Sequence, residues 1–273
     1  MSSSTLDPPS EVDTGVPSAA RAYDYFLGGT DNFEVDREFA ERALRIAPVM
    51  RAAARLNRSF QRRAVGFCLD QGIRQFLDIG SGLPTAGNVH QVAQRRVPGA
   101  RVVYVDVDPV ACAHGRRLLA DNPFATILQA DIREPGAILD HPETRRLIDF
   151  SEPVALLAVG VLMFVPDDDR PGDLIAAYRE RLAPGSALAI SHMASEYADP
   201  ELREEMARFA QAYEAAGLRL RIRDHRDVLG FFGQGVRLVQ PGLVFLSDWR
   251  PDDPAERDSF ARPLGYAGIA RIG

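Results

Sequence analysis

The stretches FLDIGSGLPTAGNVHQVAQ (residues 76–94), RVVYVDVDPVACAHGRRLLA (residues 101–120) and TILQAD (residues 126–131) decide the fold of this chain. Each opens on an apolar run of strand length, and the first two continue at helical spacing. The first strand ends in a glycine turn, the second and third in an acid. Strands alternating with helices build βαβ units and a parallel sheet. Ligands of such sheets bind outside the carboxyl ends of the strands, where strand order reverses. Gly80 and Gly82 lie there, with no Cβ between backbone and ligand. Ser81 is the small residue between them, and Asp78 is placed to orient the turn or to meet the ligand. A helix start just after the turn presents free N–H groups to an anionic group, and Pro84 suits its first turn. Asp106 can accept two ribose hydroxyls and repels a 2′-phosphate. Asp131, with the backbone of Ile132, can flank an adenine. A lone GxG is a turn more often than a site; the three features in order point to an adenosine-containing ligand.

Outward from this centre, PVALLAV (residues 153–159) reads as a central strand buried on both faces. A fifth strand is expected over 187–190. A final strand pair is expected over 236–239 and 243–246, joined by Pro241-Gly242. Helices are expected over 85–95, 109–119, 173–182, 199–216 and 224–232, with a short one in 135–147 interrupted at His141-Pro142. The expected fold class is α/β, a Rossmann-like and mostly parallel seven-stranded sheet with an antiparallel last strand. Upstream, residues 1–16 read as a disordered tail. Residues 17–72 read as a helical cap, split at Pro48 because proline breaks a helix interior. Residues 73–273 form the ligand-binding domain.

The 273 residues are 46% hydrophobic, enough for a sizeable core. No apolar run approaches the roughly 20 residues that span a bilayer, and no secretory signature is present, so a cytoplasmic protein is expected. The formal charge of −6 argues against a broad nucleic-acid footprint. All 32 basic side chains are arginine, which excludes lysine Schiff-base chemistry and a P-loop lysine. Cys68 and Cys112 read as small core residues, and no spacing suggests a metal site.

ARAYDYFLGGTDNFEVDREFAE (residues 20–41) and the 76–93 motif together resemble an actinobacterial family of S-adenosylmethionine (SAM)-dependent methyltransferases formerly classed as a domain of unknown function. The resemblance continues through VVYVDVDP (102–109), DIREP (131–135), PVALLAV, PGSALAISH (184–192), FFGQGVRLVQPGLVFLSDWRP (231–251) and GYAGIARIG (265–273). It implies a class I methyltransferase fold, SAM as cofactor and S-adenosylhomocysteine (SAH) as product, and it brings no substrate. Val107, beside Asp106, and Val159, ending the fourth strand, complete the expected cofactor set. Where the family shows a histidine in a Leu-His-Phe-like triplet, this chain has Leu162-Met163-Phe164.

The segment around Gly28-Gly29 is suited to be a lid, with Tyr23, Tyr25 and Phe26 to cover a sulfonium and Asp24, Asp31 and Asn32 to bond its polar groups. A plain helix end is the alternative, as is a simple cap role for Asp108. Methyl transfer needs a base only when the nucleophile must lose a proton. His192, in ISHMASE, is the candidate, with Glu196 to orient it or to meet a substrate amine. A structural histidine at a strand end is the competing reading. Phe231, Phe232 and Trp249 read as core more than as pocket. NAD is a rival ligand, but Leu83, Pro84 and Thr85 follow Gly82 and the next glycine is Gly87, so the dinucleotide spacing fails. The expected partner is a small-molecule acceptor. A SAM-binding regulator without methyl transfer is the alternative.

Overall fold

A computed structural model of the chain describes residues 15–83 and 87–273. The expected tail, apart from its last two residues, and the expected helix start at Pro84 and Thr85 lie outside these. Three helices come first: α1 (Ala19–Phe26), α2 (Glu34–Ile46) and α3 (Met50–Asp70). The break between α2 and α3 falls at Pro48, as its ring requires. Then β1 (Gln75–Ile79), α4 (Val89–Arg96), β2 (Arg101–Asp106), α5 (Pro109–Leu118) and β3 (Ala125–Gln129) make the first parallel units. Next come α6 (Pro135–Leu139), α7 (Pro142–Leu147), β4 (Ala155–Val159), α8 (Pro171–Arg179), β5 (Ala187–Met193), α9 (Pro200–Ala215) and α10 (His225–Gly230). The chain closes with β6 (Val236–Leu238), β7 (Val244–Phe245) and β8 (Gly265–Ile272).

The sheet runs β3-β2-β1-β4-β5-β8-β6, and β7 also pairs with β8. β1 to β5 are mutually parallel; β8, the last strand, runs against its neighbours. Strand order reverses between β1 and β4, so their carboxyl ends open onto the crevice where this architecture binds ligands. All residues of β1 and β4 are buried, which is why both strands are continuously apolar apart from Gln75 and Asp78.

The expected pair over 236–246 is corrected. β6 and β7 do not pair with each other; both lie along one edge of β8, Val236 opposite Ile272 and Val244 opposite Ala267. The turn at Pro241-Gly242 interrupts one edge strand instead of reversing the chain, and among the described residues the sheet has eight strands, not seven. β8 is weak in sequence because it holds glycines and alanines, yet packing requires them. A Cβ on Gly265 would come 2.6 Å from Leu246, and one on Gly268 3.1 Å from Phe232. Cys68 and Cys112 are free and buried.

Candidate active site

The glycine turn after β1 is pinned to β2: the N–H groups of Gly80 and Ser81 both donate to Val105 O, at 2.8 and 3.0 Å. Gly80 and Gly82 have φ of 71° and 65°, the left-handed region that favours glycine. A Cβ on Gly80 would strike Val161 at 2.0 Å, whereas one on Gly82 would meet nothing within 4 Å among the described residues. The first glycine lets the loop after β4 close in; the second keeps space open. Asp106 locks the turn from the side. Its Oδ2 accepts from Gly82 N at 2.6 Å and its Oδ1 from Asp108 N at 2.9 Å. Burial pushes the Asp106 carboxyl up to about 6, against the lowering effect of those two N–H groups. Asp108 caps α5, accepting from Val110 N and Ala111 N.

These groups line a cleft of ≈ 660 Å³ together with Ser81, Val107, Asp131, Ile132 and Val159. Val107 is 64% exposed, an apolar lip beside Asp106. Asp131 pairs with Arg133, whose hydrogen bonds hold its carboxyl below the usual range, and Arg133 also reaches Asp169 at 3.1 Å. Ile132 O accepts from the Tyr178 hydroxyl at 2.9 Å. Asp78 is buried beside the cleft, in a small recess with His90 and Tyr104. Burial pushes its carboxyl up to about 7; Arg58 opposes this and Asp106 adds to it.

Tyr23 lines the cleft from α1. Its hydroxyl donates to Ala54 O at 3.1 Å and accepts from Asn57 Nδ2 at 3.0 Å, and the Arg58 guanidinium lies 5.9 Å from its ring centroid. Asn32 does not reach the cleft. Its amide donates to Asp24 Oδ2 and Gly29 O and so holds the Gly28-Gly29 turn. A Cβ on Gly29 would sit 1.9 Å from Asp24 Oδ1.

Asn57, Arg58 and Gln61 on α3, and Ser191 on β5, were missed in sequence although all four line the cleft. Ser191 Oγ donates to Asn57 Oδ1 at 2.5 Å, and Gln61 Nε2 donates to Asp78 at 3.3 Å. A signal existed: Asn57 and Gln61 continue, at helical spacing, the buried stripe of Ala64 and Cys68. The half-buried Asn57 and the buried Gln61, as polar residues on an apolar stripe, need partners.

His192 lines the cleft but lies within β5, buried. Arg223 Nη1 stands 2.9 Å from Nε2, and arginine only donates, so Nε2 accepts and Nδ1–H donates to Met193 O at 2.8 Å. Burial pushes the ring down to about 4. Both nitrogens are engaged, so the expected base has no free lone pair in this geometry. Glu196 does not orient it; its Oε1 accepts from His225 N and the Tyr266 hydroxyl. Arg223 is itself held by Leu162 O, Val165 O and Asp167. Met163 lines the cleft, and its carbonyl accepts from Arg221 N at 2.8 Å. Trp249 is fully buried, edge-on to Phe60 and Phe67, and Phe231 and Phe232 are buried outside the cleft. Among the described residues no acid, histidine or cysteine group could hold a metal ion, and no helix is long and apolar enough to cross a membrane.

The model of the S-adenosyl methyltransferase family matches residues 5–273. A Thermobifida fusca protein described as a methyltransferase is 42% identical, with 98% of this chain and 99% of that one covered at a TM-score of 0.90. A DUF574 family protein from Streptomyces avermitilis is 37% identical, with 96% and 99% covered at a TM-score of 0.89. A SAM-dependent methyltransferase from Anabaena variabilis, 16% identical, shares the fold over 79% of this chain and 86% of its own at a TM-score of 0.51. No curated protein matches the chain.

Proposed function

The chain belongs to the S-adenosyl methyltransferase family, and from that premise we propose that it is an enzyme that methylates a small-molecule acceptor held in the cleft. The observation that carries this reading is the interlock of the Gly80-Ser81-Gly82 turn with Asp106 at the switch point of the sheet, on a cleft that also has an apolar side. The residues fit the donor. Each Asp106 oxygen binds one N–H group and keeps a further lone pair for a ribose hydroxyl. Among the described residues, nothing would meet a Cβ on Gly82 in front of the turn. Asp131, Ile132 and Val107 would flank the adenine, and Tyr23 with α1 would cover the sulfonium side.

Bound there, SAM supplies an electrophilic methyl group to a nucleophile in line with its C–S bond, and SAH is left. The chain's task is then to orient the acceptor and exclude water. With its Nε2 lone pair on Arg223, His192 is assigned to fixing the loop after β4 against β5, and no protein base is assigned to the acceptor proton. Calorimetric titration with SAM, SAH and NADH tests the reading. SAM and SAH should bind and NADH should not; binding of NADH alone would overturn it.

Met163 in the family's histidine position, together with the engaged His192, favours a second reading, a SAM-binding regulator. Conversion of SAM to SAH in the presence of a metabolite extract would exclude it.

A further inference from the structure

The cleft has two unlike halves. The sheet-edge half carries the turn and, among the described residues, the acids of the cleft, Asp106, Asp108 and Asp131, each already bonded. The other half is apolar. Phe26 lies 6.3 Å from Phe209, Phe209 4.9 Å from Tyr213, and Tyr213 6.3 Å from Phe164, ring centroid to centroid, so one aromatic wall runs along it. Met163 and Leu220 add to that wall. Phe26, Phe209, Tyr213 and Leu220 are each at most 3% exposed, so the half-buried Phe164 and Leu218 leave more of the open surface, and an apolar lining of this kind favours an apolar occupant.

Three arginines line the cleft: Arg58, Arg133 and Arg219. Arg58 donates to Gln61, and Arg133 is paired with Asp131 and Asp169. Arg219 is exposed at the mouth, between Leu218 and Leu220, which both line the apolar half. Among the described residues it has no hydrogen bond, ion pair or ring partner. Its neighbours on the same segment are engaged, Arg221 with Glu214 and Arg223 with His192 and Asp167. A guanidinium with no partner among the described residues, beside the half of the cleft where those residues place no acid, attracts an anion and repels a cation.

Resting on the reading of this cleft as a methyl-acceptor site, we propose that the acceptor is an apolar molecule of aromatic size bearing an anionic group, and that Arg219 pairs with that group. Arg219 sets specificity and stands apart from the transfer itself.

Two probes with one ring system test this. 8-Anilinonaphthalene-1-sulfonate carries an anion, and N-phenyl-1-naphthylamine lacks it. Each is titrated by fluorescence into SAH-saturated wild type, Arg219→Ala and Arg219→Lys. The sulfonate should bind wild type more tightly than the neutral amine. Arg219→Ala should weaken the sulfonate about 3-fold, the scale of an exposed ion pair, and leave the amine unchanged. Arg219→Lys should keep most of the affinity, and added salt should erase the difference. Methionine methyl NMR locates the probes: Met163 and Met193 line the cleft and should shift, whereas buried Met206 does not line it and should not. Equal effects of Arg219→Ala on both probes, no effect on either, or unmoved Met163 and Met193 signals would overturn the assignment. Loss of SAH binding would sink the methyltransferase reading; intact SAH binding without discrimination sinks only the role of Arg219.

Discussion

Asp106 gives one lone pair of each oxygen to a backbone N–H group, so a single buried carboxylate shapes the glycine turn and faces the cleft. Asp106→Ala removes both functions. It should weaken SAM and SAH roughly 10- to 100-fold in calorimetry, the scale of hydrogen bonds to a charged group. Two opposing pH effects follow from its surroundings. Asp78 and Asp106 are pushed up to about 7 and about 6 by burial, above the unfolded value of about 3.9. The folded chain therefore binds more protons than the unfolded chain between these limits. The stability this contributes is complete below about pH 4 and is lost as pH rises through about 6 and 7. Asp78→Asn should flatten that part of a melting-temperature profile relative to wild type. SAM affinity should run the other way and fall below about pH 6, because only the ionised Asp106 accepts both hydroxyls. At this scale the sequence was legible where partners are close in the chain: the turn and the capping Asp108 follow from spacing. The state of His192 was not legible, because the arginine that takes its lone pair arrives 31 residues later.

At the scale of elements, α1 and α3 complete the cleft that the sheet edge begins. Arg21 of α1 forms a buried ion pair with Asp36 of α2 and lies 3.5 Å from Asp108, so the helix is tied to both its neighbour and the α5 cap. The turn that follows α1 depends on Gly29. Gly29→Ala should displace the Asp24 carboxylate from Asp31 N and Asn32, and overpacking of this kind costs about 1–3 kcal/mol in urea unfolding. Asn57 joins α3 to Tyr23 on α1 and to Ser191 on β5. Asn57→Ala should cost about 1–3 kcal/mol, the scale of leaving buried groups unpaired. Helix ends were readable because caps and breakers act within one turn: Pro48 divides α2 from α3, and Asp199 with Pro200 starts α9. Strand partners act at a distance, so 236–246 reads as a hairpin until β8 takes both halves.

In the whole molecule, the segment after β7 is clasped to α3. Arg63 donates to Leu246 O at 2.7 Å and to Trp249 O at 2.8 Å and pairs with Glu256, while Trp249 packs edge-on against Phe60 and Phe67. The helical N-terminal part and the C-terminal strands thus share one packed face. Trp249→Ala should cost about 3–5 kcal/mol and leave a single unfolding transition by both fluorescence-independent circular dichroism and calorimetry. By itself the sequence determined the βαβ units, the glycine turn and the acids at the strand ends, because each rests on spacing within a few dozen residues, and the resemblance of motifs along the whole chain pointed to the family. The tertiary structure alone decided that β8 divides β5 from β6 and β7, that Arg223 occupies His192, that Asn57 joins three elements, and that Arg219, without a partner among the described residues, lines the same cleft as the aromatic wall. Those outcomes depend on which residues burial brings together, and no local pattern names a partner 31 positions away, as Arg223 is from His192, or 134 away, as Ser191 is from Asn57.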